Sequence, residues 1–322
     1  MHAAVVRSFD SPPRYEAFQT PQPSIEHEIA VDVLAAGLHP RVRSGASGRH
    51  YTSTDALPLI PGVDGVGRSP DGQLLYFVAS DGTFGTMAER TVIDRRRALA
   101  LPDDADVPAI AAAMNPGMSS WVALRRRVPF EPGQSVLILG ATGNAGQMAV
   151  QIAKLLGAGH VTAAGRDAGR LTQLTSLGAD ETVSLTGEPD EIARALAAAG
   201  ANVDVVIDYL WGSATEHAIP ALAKSRTEPG KPLWWIQIGS MAGPTIELPS
   251  AALRAVNLRL LGSGQGSLTT AAIVAELPEL ADRITAGAFV TDPVPMPLRD
   301  VESAWSTPTA PGQRIVFITS RL

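Results

Sequence analysis

The apolar positions of this chain fall into two textures that meet near residue 117. From 1 to 105 they form short or alternating runs, such as Ile29-Ala-Val-Asp-Val-Leu-Ala35 and Thr91-Val-Ile93, divided by proline and glycine clusters. Runs of that kind, bounded by turn formers, predict strands. Residues 107–127 predict a helix interrupted near Asn115-Pro116-Gly117, since proline removes a donor and glycine loosens the turn. From 135 the texture changes. Ser135-Val-Leu-Ile-Leu139 predicts a buried strand, followed by a helix through Gly157. Val161-Thr-Ala-Ala164 precedes a helix from about 167, and Glu181-Thr-Val-Ser-Leu185 precedes one around 189–199. Asp204-Val-Val-Ile-Asp208 and Leu233-Trp-Trp-Ile-Gln-Ile238 continue the series, and Leu258-Arg-Leu-Leu261 closes it. Apolar strands alternating with helices predict an α/β fold with a parallel sheet covered on both faces. The tail, 288–322, returns to a proline-rich, strand-like texture ending in Arg314-Ile-Val-Phe-Ile-Thr319.

The length of 322 residues suits two domains. A net charge of −6 argues against nucleic acid, whose phosphates need a basic face. The absence of cysteine excludes disulfides, thiolate metal sites and cysteine nucleophiles, so a cytoplasmic enzyme is expected. The N-terminal residues lack the basic and apolar regions of a signal peptide. The uncharged stretch Pro132–Ala153 is long enough to span a bilayer, but its glycines, Asn144 and Gln147 are wrong for a lipid-facing helix. No membrane partner is expected.

Gly140-Ala141-Thr142-Gly143-Asn144-Ala145-Gly146 lies where a predicted strand becomes a helix. Glycines there permit a tight turn, let a pyrophosphate approach the backbone, and let the helix pack on the strand. The end of the next strand selects the cofactor: an acid would hold the ribose 2′-OH of NAD, an arginine the 2′-phosphate of NADP. The chain runs Ala164-Gly165-Arg166-Asp167, with Arg170 one helical turn on. Arg166 suits a dianionic phosphate. Asp167 is the rival, able to serve NAD if the strand ends later, although the N-cap of the following helix is its ordinary role.

Further segments sit around this turn: Ala35-Ala36-Gly37-Leu38-His39-Pro40, Leu59-Ile60-Pro61-Gly62-Val63-Asp64-Gly65-Val66-Gly67, Gly85-Thr86-Met87-Ala88-Glu89 and Asn115-Pro116-Gly117-Met118-Ser119. With them, nearly the whole chain resembles the medium-chain dehydrogenase/reductase superfamily, in particular its zinc-free quinone oxidoreductase branch. The resemblance implies a mostly β, GroES-like catalytic domain over about 1–117 and 264–322. A Rossmann domain of about 118–263 would bind NADPH, with the active site in the cleft between the two. Counted back from Leu177-Gly178-Ala179-Asp180, the NAD-specific acid of related alcohol dehydrogenases falls on Gly165, which again favours NADP(H). Zinc-bearing relatives carry a ligand cysteine and a Gly-His-Glu; here there is no cysteine, and Gly62-Val63-Asp64 stands instead, so neither zinc site can be built.

The resemblance also locates candidate site residues. His39 stands where the branch usually has asparagine, and Tyr51 lies in the loop where related reductases place a tyrosine over the nicotinamide. Both could donate to a developing oxyanion. Asn115 could bond cofactor or substrate, and Gly239-Ser240 resembles the backbone that holds the carboxamide end of the nicotinamide. The triplets Arg95–Arg97 and Arg125–Arg127 read as solvated faces. The implied reaction is hydride transfer from NADPH to a small quinone or α,β-unsaturated carbonyl. The alternatives are a zinc-free ketone or aldehyde reductase and a non-catalytic NADPH-binding redox sensor. A homodimer is expected through the strand near Leu258–Leu261.

Overall fold

The computed structural model describes residues 1–80, 82–310 and 312–319. The chain divides into two compact units, Met1–Asn115 with Thr270–Leu322, and Pro116–Thr269.

In the first unit a seven-stranded sheet runs in the order Asp292–Pro297, Gln313–Ile318, Glu28–Gly37, Asp64–Arg68, Leu74–Val78, Ala98–Ala100, with Arg90–Asp94 also pairing with Glu28–Gly37. The long strand Glu28–Gly37 is its backbone. Residues 28–32 pair with Arg90–Asp94, 35–37 pair with the C-terminal strand, and the pairing with Asp64–Arg68 shifts register between Val33 and Ala35. Its burial follows that change: alternate residues are buried at first, then every residue from Val33 onward. Ile29, Val31 and Val33 pack with Leu75, Phe77 and Ile93. Ala36 and Leu38 instead join Val42, Met87, Ile315 and Phe317. The strand Asp292–Pro297 lies at the sheet's edge, parallel to Gln313–Ile318, with Pro293, Pro295 and Pro297 at alternate positions.

The second unit holds the parallel sheet expected from the repeated strand–helix pattern. Its order is Glu181–Ser184, His160–Gly165, Ser135–Leu139, Val205–Asp208, Leu233–Gln237, Leu258–Gly262, with every neighbour parallel. Numbered along the chain this is 3-2-1-4-5-6, the doubly wound order whose direction reverses between Ser135–Leu139 and Val205–Asp208. Helices Asn144–Leu155, Ala168–Ser176, Pro189–Gly200 and Gly212–Ser225 follow the successive strands. Leu137, Leu139, Val206, Leu222 and Trp235 lie at the centre of one face's core.

Two elements differ from expectation. The helix Val107–Val122 continues through Pro116 and then passes into a π-helical turn, Ala123–Arg127. Apolar burial on both sides of the proline, at Ile110, Ala111, Met114 and Trp121, outweighs the lost backbone bond. The Ser119 hydroxyl donates back to the Pro116 carbonyl at 2.7 Å. The helix Gly212–Ser225, with Pro220 inside it, has no counterpart among the predicted elements.

At the C-terminal end of Val205–Asp208 the fully buried Asp208 carboxylate accepts four hydrogen bonds. The backbone N–H groups of Leu210 and Trp211 donate at 2.8 and 2.9 Å, the Thr215 hydroxyl at 2.5 Å, and the Trp235 indole at 3.0 Å. Asp208→Ala should lower stability by about 3 kcal/mol or more, because several buried donors lose their acceptor at once. Urea unfolding measures this; a loss below about 1 kcal/mol would show that water replaces the carboxylate.

Candidate functional site

The turn after Ser135–Leu139 is built by its glycines. Gly140 has φ +87°, a left-handed conformation that a side chain resists, and its N–H and that of Ala141 both donate to the Ala164 carbonyl at 2.9 Å. Gly146 lies so close to the turn that a Cβ on it would sit 2.3 Å from the Gly140 carbonyl oxygen. Gly143 is the N-cap of Asn144–Leu155, with no side-chain cap. Gly140, Thr142, Gly143, Asn144, Ala145 and Gly146 thus form a turn ending at a helix N-terminus without a side-chain cap, the feature that suits a pyrophosphate.

At the next strand end Gly165 is buried, and a Cβ there would lie 2.4 Å from Thr142 Cγ2 and 2.7 Å from its Oγ1. Gly165 carries no acid, and Thr142 fills the place where a side chain there would begin. Arg166, the following residue, is exposed. Asp167 caps the helix Ala168–Ser176, accepting from the Arg170 N–H at 3.0 Å. Arg170 is half-buried, donates through Nη2 to Gln147 Oε1 at 2.8 Å, and burial lowers its pKa.

The turn also faces the neighbouring strand end across the switch point. A Cβ on Gly140 would lie 3.0 Å from Leu210 Cδ2 and 3.3 Å from Tyr209 Cβ. The Tyr209 hydroxyl is 2.9 Å from Ser119 Oγ, and because Ser119 donates to Pro116, Tyr209 is the donor of that bond. Burial pushes the Tyr209 pKa up to about 12, which keeps it a donor. Gly239 packs on the Tyr209 backbone, donates its N–H to the Asp208 carbonyl at 3.1 Å, and is followed by an exposed Ser240. Tyr209, Leu210 and Trp211 lie at this strand end, yet nothing in their residue types marks them; only their position just after an apolar strand could have pointed to them.

In the first unit, His39 and Asp64 are both buried, with His39 Nε2 3.0 Å from Asp64 Oδ1. The Tyr76 hydroxyl donates to Asp64 Oδ2 at 2.9 Å, and the Thr86 hydroxyl to the Asp64 carbonyl at 2.8 Å. Burial lowers the His39 pKa, against the upward pull of Asp64. A neutral ring that donates through Nε2 to the carboxylate carries a lone pair, not a proton, on Nδ1. Arg314 is buried nearby, held down to a pKa of about 10 by desolvation, with Nε and Nη1 lacking a partner among the described residues. Tyr51 is 73% exposed and lies over His50, ring centroids 4.4 Å apart. Asn115 is half-buried within Val107–Val122.

Comparison with known proteins places this geometry. A family model described as zinc-binding dehydrogenase matches residues 145–284. A probable NADPH-dependent quinone reductase of Emericella nidulans is 30% identical over 362 residues, covering 99% of this chain and 100% of that protein. A trans-enoyl reductase of Aspergillus terreus is 29% identical over 240 residues, covering 67% of this chain and 62% of its own length. In fold, a mycobacterial quinone oxidoreductase matches with a TM-score of 0.81 at 20% identity, covering 99% of each chain. A 2-haloacrylate reductase matches with 0.82 at 18% identity, over 99% of this chain and 100% of its own. The chain belongs to the medium-chain dehydrogenase/reductase superfamily. Within it, the chain falls in the zinc-free quinone and enone oxidoreductase branch.

The zinc in that family model's description does not fit these residues. The chain has no cysteine, and no group of three or more His, Asp or Glu converges among the described residues. His39 and Asp64 turn their facing atoms on each other, and Tyr76 takes the second carboxylate oxygen. Among the described residues, no helix is long and apolar enough to cross a membrane.

Two outcomes follow from this geometry. Gly165→Asp alone should destabilise the protein by about 1–3 kcal/mol through the forced contact with Thr142, without conferring NADH binding. Adding Thr142→Ala should recover stability; thermal melting and cofactor titration of both variants test this. For His39, the folded pKa lies below the unfolded value of about 6.5, so the unfolded chain takes up the proton first as pH falls. Its stabilising contribution is present above about pH 6.5 and is lost below it. Unfolding free energies between pH 7 and pH 5 should fall less steeply in His39→Gln than in the parent, and equal slopes would refute the assignment.

Proposed function

We propose that this protein is a zinc-independent oxidoreductase that uses NADPH to reduce quinones or α,β-unsaturated carbonyls. The observation that carries the reading is the end of the strand His160–Gly165. Gly165 is closed to any acid by Thr142, while Arg166 stands exposed beside it. Names of relatives support the same reading, an NADPH-dependent quinone reductase and a trans-enoyl reductase among them. When bound, NADPH supplies the hydride, which the protein's own side chains cannot.

In this reading the 140–146 turn receives the pyrophosphate, and Arg166, backed by Arg170, pairs with the 2′-phosphate. Gly239, Ser240 and Asn115 serve the nicotinamide end. Tyr51, exposed and able to donate, is the residue to polarise the acceptor oxygen. His39 is not a donor to substrate in its neutral form, since its proton is committed to Asp64; we assign it to positioning the helix that follows, Pro40–Ala46. Few fixed donors suit a quinone or enone, whose developing charge is delocalised, better than a simple ketone, whose alkoxide is localised. The cysteine-free, acidic composition suits the cytoplasm. The strand Leu258–Gly262 ends the parallel sheet with Leu260 37% exposed, and we propose that it pairs with its twin in a homodimer.

NADPH should bind about ten- to a hundredfold more tightly than NADH, and Arg166→Ala should remove most of that preference. Fluorescence titration tests this, and equal dissociation constants in the parent would overturn the cofactor assignment. Oxidation of NADPH, followed by absorbance, should occur with naphthoquinones and enones and be slow with simple ketones. Tight NADPH binding without turnover of any acceptor would favour a redox sensor. Light scattering at micromolar concentration should give twice the chain mass of 33.6 kDa, and a monomer would contradict the edge pairing.

A further inference from the structure

Trp211 has φ 51° and ψ −158°, and among the described residues no other non-glycine residue has a positive φ. That region belongs almost entirely to glycine, and a bulky side chain there is strained. The surroundings hold it in place. Its N–H is fixed by the buried Asp208 carboxylate at 2.9 Å. Gly212, the next residue, has φ 57° and lies so close to the following loop that a Cβ would sit 2.5 Å from the Ala242 carbonyl oxygen. Glycine at 211 would adopt the same backbone without strain. The tryptophan therefore contributes its indole, and the backbone bears a cost for it.

The indole has no evident structural task. Trp211 is only partly buried, and no ring contact or hydrogen bond engages its side chain among the described residues. By contrast, Trp235 is fully buried and bonds Asp208. Trp211 lies just beyond the C-terminal end of Val205–Asp208, beside Leu210, which faces the Gly140 turn. In the sheet order, Val205–Asp208 is separated from the Arg166 strand by Ser135–Leu139, with the direction reversal on its own side. Strands are spaced about 4.8 Å, so these two strand ends are roughly 10 Å apart. A dinucleotide whose 2′-phosphate sits at Arg166 extends across the switch point toward the strand that carries Trp211. Trp211 thus stands on the side of the reacting ring and its acceptor.

We propose that Trp211 is a specificity-determining residue, an aromatic wall that favours flat aromatic acceptors over aliphatic enones; this rests on the function proposed above. The strained backbone sets the direction in which the Trp211 side chain leaves the chain. An aromatic contact of this kind changes affinity by roughly threefold to tenfold.

The test compares kcat/KM for 1,4-naphthoquinone and but-3-en-2-one, with NADPH, in the parent, Trp211→Gly and Trp211→Phe. The preference for naphthoquinone should fall threefold to tenfold in Trp211→Gly, chiefly through its KM, and Trp211→Phe should restore most of it. NADPH dissociation constants should agree across all three proteins, and Trp211→Gly should melt no lower than the parent, since glycine relieves the strain. An unmoved acceptor ratio in Trp211→Gly would overturn the proposal while leaving the function standing, as would weakened NADPH binding with that ratio unmoved. A Phe variant that behaves like Gly would likewise refute an aromatic wall. A parent that turns over neither acceptor would overturn the functional reading and this inference together.

Discussion

Asp208 gathers two backbone N–H groups, a hydroxyl and an indole around one buried carboxylate, and the geometry of the switch point depends on it. Just beyond the strand, Trp211 takes a conformation the chain would not choose alone. Through Leu210 the carboxylate sets how closely the Gly140 turn can approach, and through Trp235 it ties the next strand to the same point. Buried donors without acceptors are costly, so the arrangement is rigid by default. Beside a flexible ligand, that rigidity keeps the ordering cost of binding low.

The first unit solves a related problem with other residues. His39, Asp64 and Tyr76 come from three separated segments and satisfy one another in the interior. The facing atoms of His39 and Asp64 are spent on each other, and Tyr76 takes the second carboxylate oxygen. The desolvated Arg314 adds a positive charge that helps hold His39 neutral, and Asp64 pulls the other way. The result is a buried polar knot joining the strand Glu28–Gly37, through the loop after it, to Asp64–Arg68 and Leu74–Val78.

What could be read from the chain alone was whatever is decided within a few residues. The turn at 140–146 and the cap at Asp167 need only local glycine and Asx chemistry, and both appear where the residues indicated. The alternation of apolar strands and helices was likewise enough for the parallel sheet. Pro116 misled because a local rule gave way to tertiary burial at Met114 and Trp121. The helix Gly212–Ser225 escaped notice because Pro220 and its small polar residues obscure the period. The His39–Asp64–Tyr76 cluster and the contact of Thr142 with Gly165 join residues distant in sequence, and no spacing rule reaches that far. Trp211 was invisible for a stronger reason: its conformation contradicts its own residue type and is held by Asp208 and by the packing of Gly212 on Ala242.

The alternating prolines of Asp292–Pro297 have a consequence for how the molecule behaves in a crowd. Successive backbone N–H groups of a strand point to opposite sides, so Pro293, Pro295 and Pro297 all lack the donor on one side. The strand is hydrogen-bonded to Gln313–Ile318 on its inner side, which puts the missing donors on the outer side. That rim offers carbonyls and no N–H groups along its length. A foreign strand arriving there meets acceptors only, cannot form a ladder, and drifts away. The sheet carries its own terminator, written in three residues.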